Sequence, residues 1–152
     1  MFVHYFTHVP LNMSVVERRI GELRSSLDEW AGFAYREGEE LRARVGPSTD
    51  GVAKEVRLEI GIPEIHRTGL VYALTWTALG AGALFPRLTG SLSLSHVGPD
   101  KTKLGLEGTY DPPLGPVGRA VDRIVLGKLA DATVQNWVDR LADSVVSESS
   151  VS

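Results

Sequence analysis

The sequence predicts an α+β fold in which an antiparallel sheet packs against a long C-terminal helix. Three observations carry that reading. From about Val52 to Tyr110 the apolar residues recur at every second position, the period of strands with one face buried. Short breaks containing Gly and Pro separate these runs, as hairpin connections do. Beyond the break at 112–118, apolar residues recur three and four apart as far as about Val146, the pattern of an amphipathic helix. A chain of 152 residues fits one domain and buries about 68–70% of its extended-chain surface. We place that domain at 1–147, with 148–152 as a disordered tail.

Composition excludes several classes of function. There is no cysteine, so neither a disulfide framework nor a thiolate metal site is available. The formal net charge is −3 and the basic residues, Arg18-Arg19 and Lys101/Lys103 among them, read as scattered surface charge. Nucleic acid would require a basic stripe. Residues 1–7 lack the basic start and apolar run of a signal peptide, and no segment reaches the roughly eighteen apolar residues of a membrane span. The expectation is a cytoplasmic protein with no membrane span and no nucleic-acid partner.

Residues 2–11 alternate, with Val3, Tyr5, Val9 and Leu11 on one side and His4, Phe6 and His8 on the other, which predicts a first strand. On a strand His4 and His8 stand about 13 Å apart and cannot chelate one ion. Asn12 and Ser14 offer helix caps, and Ser14 to Glu17 has the capping-box spacing. Val16, Ile20 and Leu23 then form the buried side of a short helix. A second box, Ser26 to Glu29, opens a longer one with Leu27, Trp30, Ala34, Gly38, Leu41 and Val45 inward, ended by Gly46-Pro47. Gly38 on that inner face costs about 1 kcal/mol relative to alanine, and reads either as a place where another backbone comes close or as a glycine that is simply tolerated.

Five strands follow from parity, counting the first. Val52, Val56, Leu58 and Ile60 alternate with Ala53, Glu55, Arg57 and Glu59. After a turn at Gly61-Ile62-Pro63-Glu64, Leu70, Tyr72, Leu74, Trp76 and Ala78 share a face. Gly80-Ala81-Gly82 permits a hairpin into 84–97, with Leu88, Leu92 and Leu94 inward and Thr89, Ser91, Ser93 and Ser95 outward. Gly98-Pro99-Asp100-Lys101 turns again, and Leu104, Leu106, Gly108 and Tyr110 line the inner side of the last strand. Serine and threonine mark the outer face as wet, so the terminal helix covers the other.

Pro112 and Pro113 hold the chain extended, and Pro116 suits a first helical turn. Leu126, Ala130, Thr133, Val134, Trp137, Leu141 and Val145 then make one stripe on a helix about 45 Å long. Val117, Val121 and Ile124 point to nearly the opposite side, and Gly127 between the two registers marks a bend or a restart. Either the helix bends and packs on its own core throughout, or that first face meets a lid, a ligand or a second subunit.

The element order, the run Leu84-Phe85-Pro86 followed by Gly90, the block Gly108-Thr109-Tyr110-Asp111-Pro112-Pro113-Leu114-Gly115, and Gly118 with Asp122 resemble the START-like (SRPBCC) superfamily. That group includes the birch-pollen allergen fold and the polyketide cyclases, and the similarity is greatest to small bacterial members of unassigned function. The resemblance covers essentially the whole chain. It implies a helix-grip fold: a curved sheet of five to seven strands round the C-terminal helix, with a hydrophobic cavity between them. It says little of chemistry, because the superfamily shares a cavity rather than a reaction.

No catalytic set emerges from the residues. Glu64 and His66 fall short of a metal site, no nucleophile elbow or G-x-G-x-x-G is present, and no cofactor is expected. For a polyketide cyclase the polar candidates are Tyr72, Tyr110 and His96, with Arg57 and Glu107 on the opposite parity. The alternative is a binding protein for a lipid, isoprenoid or polyketide-like compound, held for sequestration or transfer. Its wall would be Tyr72, Leu74, Trp76, Leu92, Leu94, Leu106 and Tyr110 from the sheet, facing Trp30, Val134 and Trp137 from the helices, with Ala130 beside them. Pro112, Pro113, Gly115 and Gly118 would gate it together with the short helices. The same side chains can instead fill the interior, leaving a vestigial cavity and an interaction protein, homodimeric or partnered through Val117, Val121 and Ile124.

Overall fold

A computed structural model describes residues 1–45, 53–80, 84–111 and 123–149, without the side chains of 42, 43, 45, 54, 123–126, 148 and 149. The elements are β1 (Phe2–Val9), α1 (Met13–Glu22), α2 (Arg24–Val45), β2 (Ala53–Ile60), β3 (Glu64–His66), β4 (Gly69–Gly80), β5 (Arg87–Gly98), β6 (Lys101–Tyr110) and α3 (Arg123–Ser149). The strands form a six-stranded antiparallel sheet in the order β1-β6-β5-β4-β2, with β3 also pairing β4. The expected α+β helix-grip architecture is present, and the sixth strand is β3. Its three residues are all exposed and too few to show a period.

Register builds the inner face in rows. Leu58, Trp76, Leu88 and Tyr110 stand side by side; so do Leu74, Gly90, Gly108 and Val3, then Tyr72, Leu92, Leu106 and Tyr5. Two glycines in one row curl the sheet: a Cβ on Gly90 would lie 1.9 Å from the Glu107 carbonyl oxygen, so β5 and β6 approach more closely there than a side chain allows. Parity places Ala53 outward, yet it is buried, because a bulge between Ala53 and Glu55 resets the alternation.

α3 lies against the inner face, with Ala130, Thr133, Val134, Trp137, Val138, Leu141, Ala142 and Val145 buried. At 27 residues it is about 40 Å long. It passes through Gly127 without a restart and continues to Ser149, two residues into the stretch expected to form the tail. Val117, Val121 and the gate residues Pro112, Pro113, Gly115 and Gly118 lie outside the described residues, as do Gly46-Pro47, Val52, Ala81-Gly82 and 150–152; the side chains of Ile124 and Leu126 do too.

The supporting helices differ from expectation at their starts. The α1 cap is Asn12, whose side-chain oxygen accepts from the Ser14 N–H at 2.9 Å, and α2 begins at Arg24, so Ser26 lies inside it. The buried side of α2 is Leu27, Ala31, Ala34, Tyr35 and Gly38, while Leu41 is exposed. Gly38 does mark a close approach, though of side chains: an added Cβ would lie 2.4 Å from Thr133 Oγ1 and 2.5 Å from Leu84 Cδ1. Arg19, read from the sequence as surface charge, is buried, and its guanidinium donates to the Val145 carbonyl at 2.7 Å. It ties α1 to the end of α3. Among the described residues, no helix is long and apolar enough to cross a membrane.

Candidate functional site

Nine of the ten residues predicted to line the interior are buried together: Tyr72, Leu74, Trp76, Leu92, Leu94, Leu106, Tyr110, Val134 and Trp137. Trp30 is the exception. It is half-buried at the edge of α2 and lines an open outer groove of about 710 Å³ with Leu23, Asn136, Asp139, Arg140 and Asp143. Its place in the three-four spacing puts it on the inner stripe, but the helix turns Ala31 and Tyr35 inward instead.

An aromatic cluster occupies the end of the interior near Tyr110. Trp76 of β4 and Trp137 of α3 meet with ring centroids 6.1 Å apart. Phe85 stands edge-on to Trp76 at 5.5 Å and tilted against Tyr110 at 5.7 Å, and Tyr35 stands edge-on to Phe85 at 5.1 Å. Such pairings add about 0.5–1.5 kcal/mol each beyond area burial. Phe85 and Tyr35 are not in the predicted wall. The strand expected over 84–97 would have put Phe85 on its outer parity, but β5 begins at Arg87 and Phe85, which lies within the run Leu84-Phe85-Pro86 that the sequence resemblance singles out, turns inward. The Tyr35 hydroxyl holds it there, donating to the Phe85 carbonyl at 3.0 Å and accepting from the N–H groups of Leu84 and Phe85 at 3.3 Å each. Burial pushes the Tyr35 phenol up to about 12, so it stays a donor.

The two indole N–H groups differ. Trp137 Nε1 donates to the Leu27 carbonyl at 3.1 Å. Trp76 Nε1 is fully buried and has no hydrogen-bond partner among the described residues. An unpaired buried donor costs about 1–3 kcal/mol. The other orphan in the same end of the molecule is Glu39 Oε1. Its sister oxygen accepts from the Ala53 N–H at 3.0 Å, while Arg36 donates to the Ala53 carbonyl at 3.3 Å. Burial raises the Glu39 carboxyl above its ordinary value, against the lowering effects of the Ala53 N–H and of Arg36.

The polar candidates for cyclase chemistry do not converge. Tyr72 and Tyr110 stand in rows on opposite sides of the Gly90–Gly108 row, about 13 Å apart along the strands. Burial pushes the Tyr72 phenol up to about 12, with Glu17 adding to it, and burial also raises Tyr110. Arg57, His96 and Glu107 are exposed; His96 lines a surface depression with Glu17 and His66. The exposed side chains of Glu64 and His66 stand 3.5 Å apart, and the described residues contain no group of three metal-ligating side chains.

No protein-family model matches the chain, and no curated protein matches it in sequence. Solved structures do match in shape. TTHA0849 from Thermus thermophilus is 18% identical, with a TM-score of 0.52 over 98% of this chain and 99% of its own. Ara h 8.0201 is 12% identical, with a TM-score of 0.52 over 97% of this chain and 98% of its own. The Zhui aromatase/cyclase from Streptomyces sp. R1128 is 13% identical over 99% of this chain and 93% of its own, with a TM-score of only 0.44. At such identities the likeness is one of fold.

Proposed function

We propose, from the premise that the chain has the START-like (SRPBCC) helix-grip fold, that it binds a hydrophobic small molecule between the sheet and α3. The ligand class is a lipid, isoprenoid or polyketide-like compound, held for sequestration or transfer. The observation that carries the reading is Trp76 Nε1, a buried donor without an acceptor among the described residues, in a mostly apolar wall of Leu74, Leu92, Leu94, Leu106, Val134 and Trp137 with Tyr72 and Tyr110. Apolar walls with one or two polar groups suit greasy ligands, the polar group fixing orientation. A carbonyl, hydroxyl or ether oxygen on the ligand would complete the indole's hydrogen bond, and the rings of Phe85, Tyr110 and Trp137 would supply contact area.

Trp76 packs on Trp137 and Phe85, so admission of a ligand requires these rings to part. A cyclase has less support, since Tyr72 and Tyr110 stand apart and His96, Arg57 and Glu107 face outward. Native mass spectrometry of protein purified from its own host tests the binding reading. The expected result is a co-purifying lipid-like mass that Trp76→Phe reduces about fivefold, the value of one net hydrogen bond of about 1 kcal/mol. Repeated absence of any such mass from the unmutated protein overturns it.

A further inference from the structure

β1 is the outer strand of the sheet and pairs with β6 alone. At its start the Met1 amine donates to the Tyr110 carbonyl at 2.6 Å and the Tyr110 N–H donates to the Met1 carbonyl at 2.8 Å. That exchange sets the parity of the strand. Odd-numbered residues turn N–H and C=O toward β6, and Phe2, His4, Phe6 and His8 turn theirs to the open side. None of those backbone groups has a partner among the described residues.

The same four side chains stand exposed on the outer face and touch in series. Ring centroids are 6.3 Å apart for Phe2–His4, 5.7 Å for His4–Phe6 and 5.9 Å for Phe6–His8, with Lys103 Nζ 4.2 Å above the Phe6 ring. Exposed edges are normally blunted by proline, by a bulge, by inward charge or by a covering helix or loop. β1 has no proline, bulge or inward charge: its register with β6 is unbroken from Phe2 to Val9, its first proline, Pro10, lies beyond the strand, and α3, which packs on its inner side, leaves Phe2, His4, Phe6 and His8 exposed.

We propose that β1 pairs with β1 of a second copy, antiparallel about a two-fold axis at Tyr5, joining the two six-stranded sheets into one. The occupant is named by the pattern itself. Phe-x-His-x-Phe-x-His is its own complement when reversed: Phe2 meets the partner's His8, and His4 meets the partner's Phe6. All four facing pairs are of the kind that exchange two backbone hydrogen bonds. Every phenyl ring then lies opposite an imidazole on the same face, the aromatic cross-strand arrangement that stabilises sheets. The ladder's acidic and basic neighbours on β6 also alternate suitably, with Glu107 beside His4 and Lys103 beside His8, so no like-charged pair is brought face to face across the axis.

Sedimentation of the full chain from about 1 to about 200 μM tests this, a range that brackets micromolar self-association. The expected species is a dimer of the 16.5 kDa chain. His4→Pro removes an N–H on the open side only, which an edge strand tolerates, and Phe6→Lys places a charge in the ladder. Each is expected to weaken association at least about tenfold with an unchanged far-ultraviolet circular dichroism spectrum, and if His4→Pro unfolds the chain, Phe6→Lys decides. Ile65→Lys, on the exposed strand β3 at the other end of the sheet, leaves the dimer intact. A chain that stays monomeric throughout, whether or not it captures some other partner, overturns the proposal. So does a dimer that Phe6→Lys leaves unchanged.

Discussion

At Gly38 two rules of single residues oppose each other. In an exposed helix, alanine for glycine gains about 1 kcal/mol. Here the new methyl would fall 2.4 Å from Thr133 Oγ1 and 2.5 Å from Leu84 Cδ1, and overpacking of a filled contact costs about 1–3 kcal/mol. Gly38→Ala is therefore expected to lower stability by up to about 2 kcal/mol, the overpacking cost less the helix-propensity gain, read as a lower urea midpoint at constant m-value. A rise in the midpoint would show that the α2–α3 contact is looser than its geometry. Position alone made Gly38 visible in the sequence, since a glycine amid a regular apolar stripe asks for a reason. Arg19 could not be found in that way. It follows Arg18 in a helix with wet faces, and only the bond to Val145 on a distant element distinguishes it.

Among elements, α1 depends most on its cap. Asn12 accepts from the Ser14 N–H and also donates through Nδ2 to the Pro99 carbonyl at 2.9 Å, so it joins the helix start to the β5–β6 turn. Asn12→Ala is expected to cost about 1 kcal/mol, measurable by thermal or urea unfolding, whereas Ser14→Ala costs less because the capping-box reading of Ser14 does not describe this helix. Strands proved the most legible elements: Leu70, Tyr72, Leu74, Trp76 and Ala78 alternate as buried residues in β4 as parity requires. Parity was blind in three places. β3 is too short to show a period, the bulge at Ala53 breaks one, and Phe85, on the outer parity of the strand expected over 84–97, sits before β5 begins. The buried inner face of the sheet was thus readable from the sequence, while the place of Phe85 and the orphan donor on Trp76 depend on contacts between elements distant in the chain.

For the molecule as a whole, pH acts through the buried end that contains Glu39. Burial raises its carboxyl above the ordinary value, so folding favours the protonated form. Its contribution is fully present below the unfolded-state value, about 4.3, and is lost as pH rises through the higher folded-state value. Urea unfolding between about pH 4 and pH 8 should accordingly show a stability loss with rising pH that is smaller in Glu39→Gln. An identical slope in the two proteins would assign the dependence to other groups.

The clasp made by the Tyr35 hydroxyl gives the interior a mechanical linkage. Because that one oxygen grips the 84–85 backbone from α2, any displacement of the helix would carry Phe85 with it, away from the indole of Trp76. On the proposed binding reading, a ligand reaching Trp76 must displace Phe85 and α2 together.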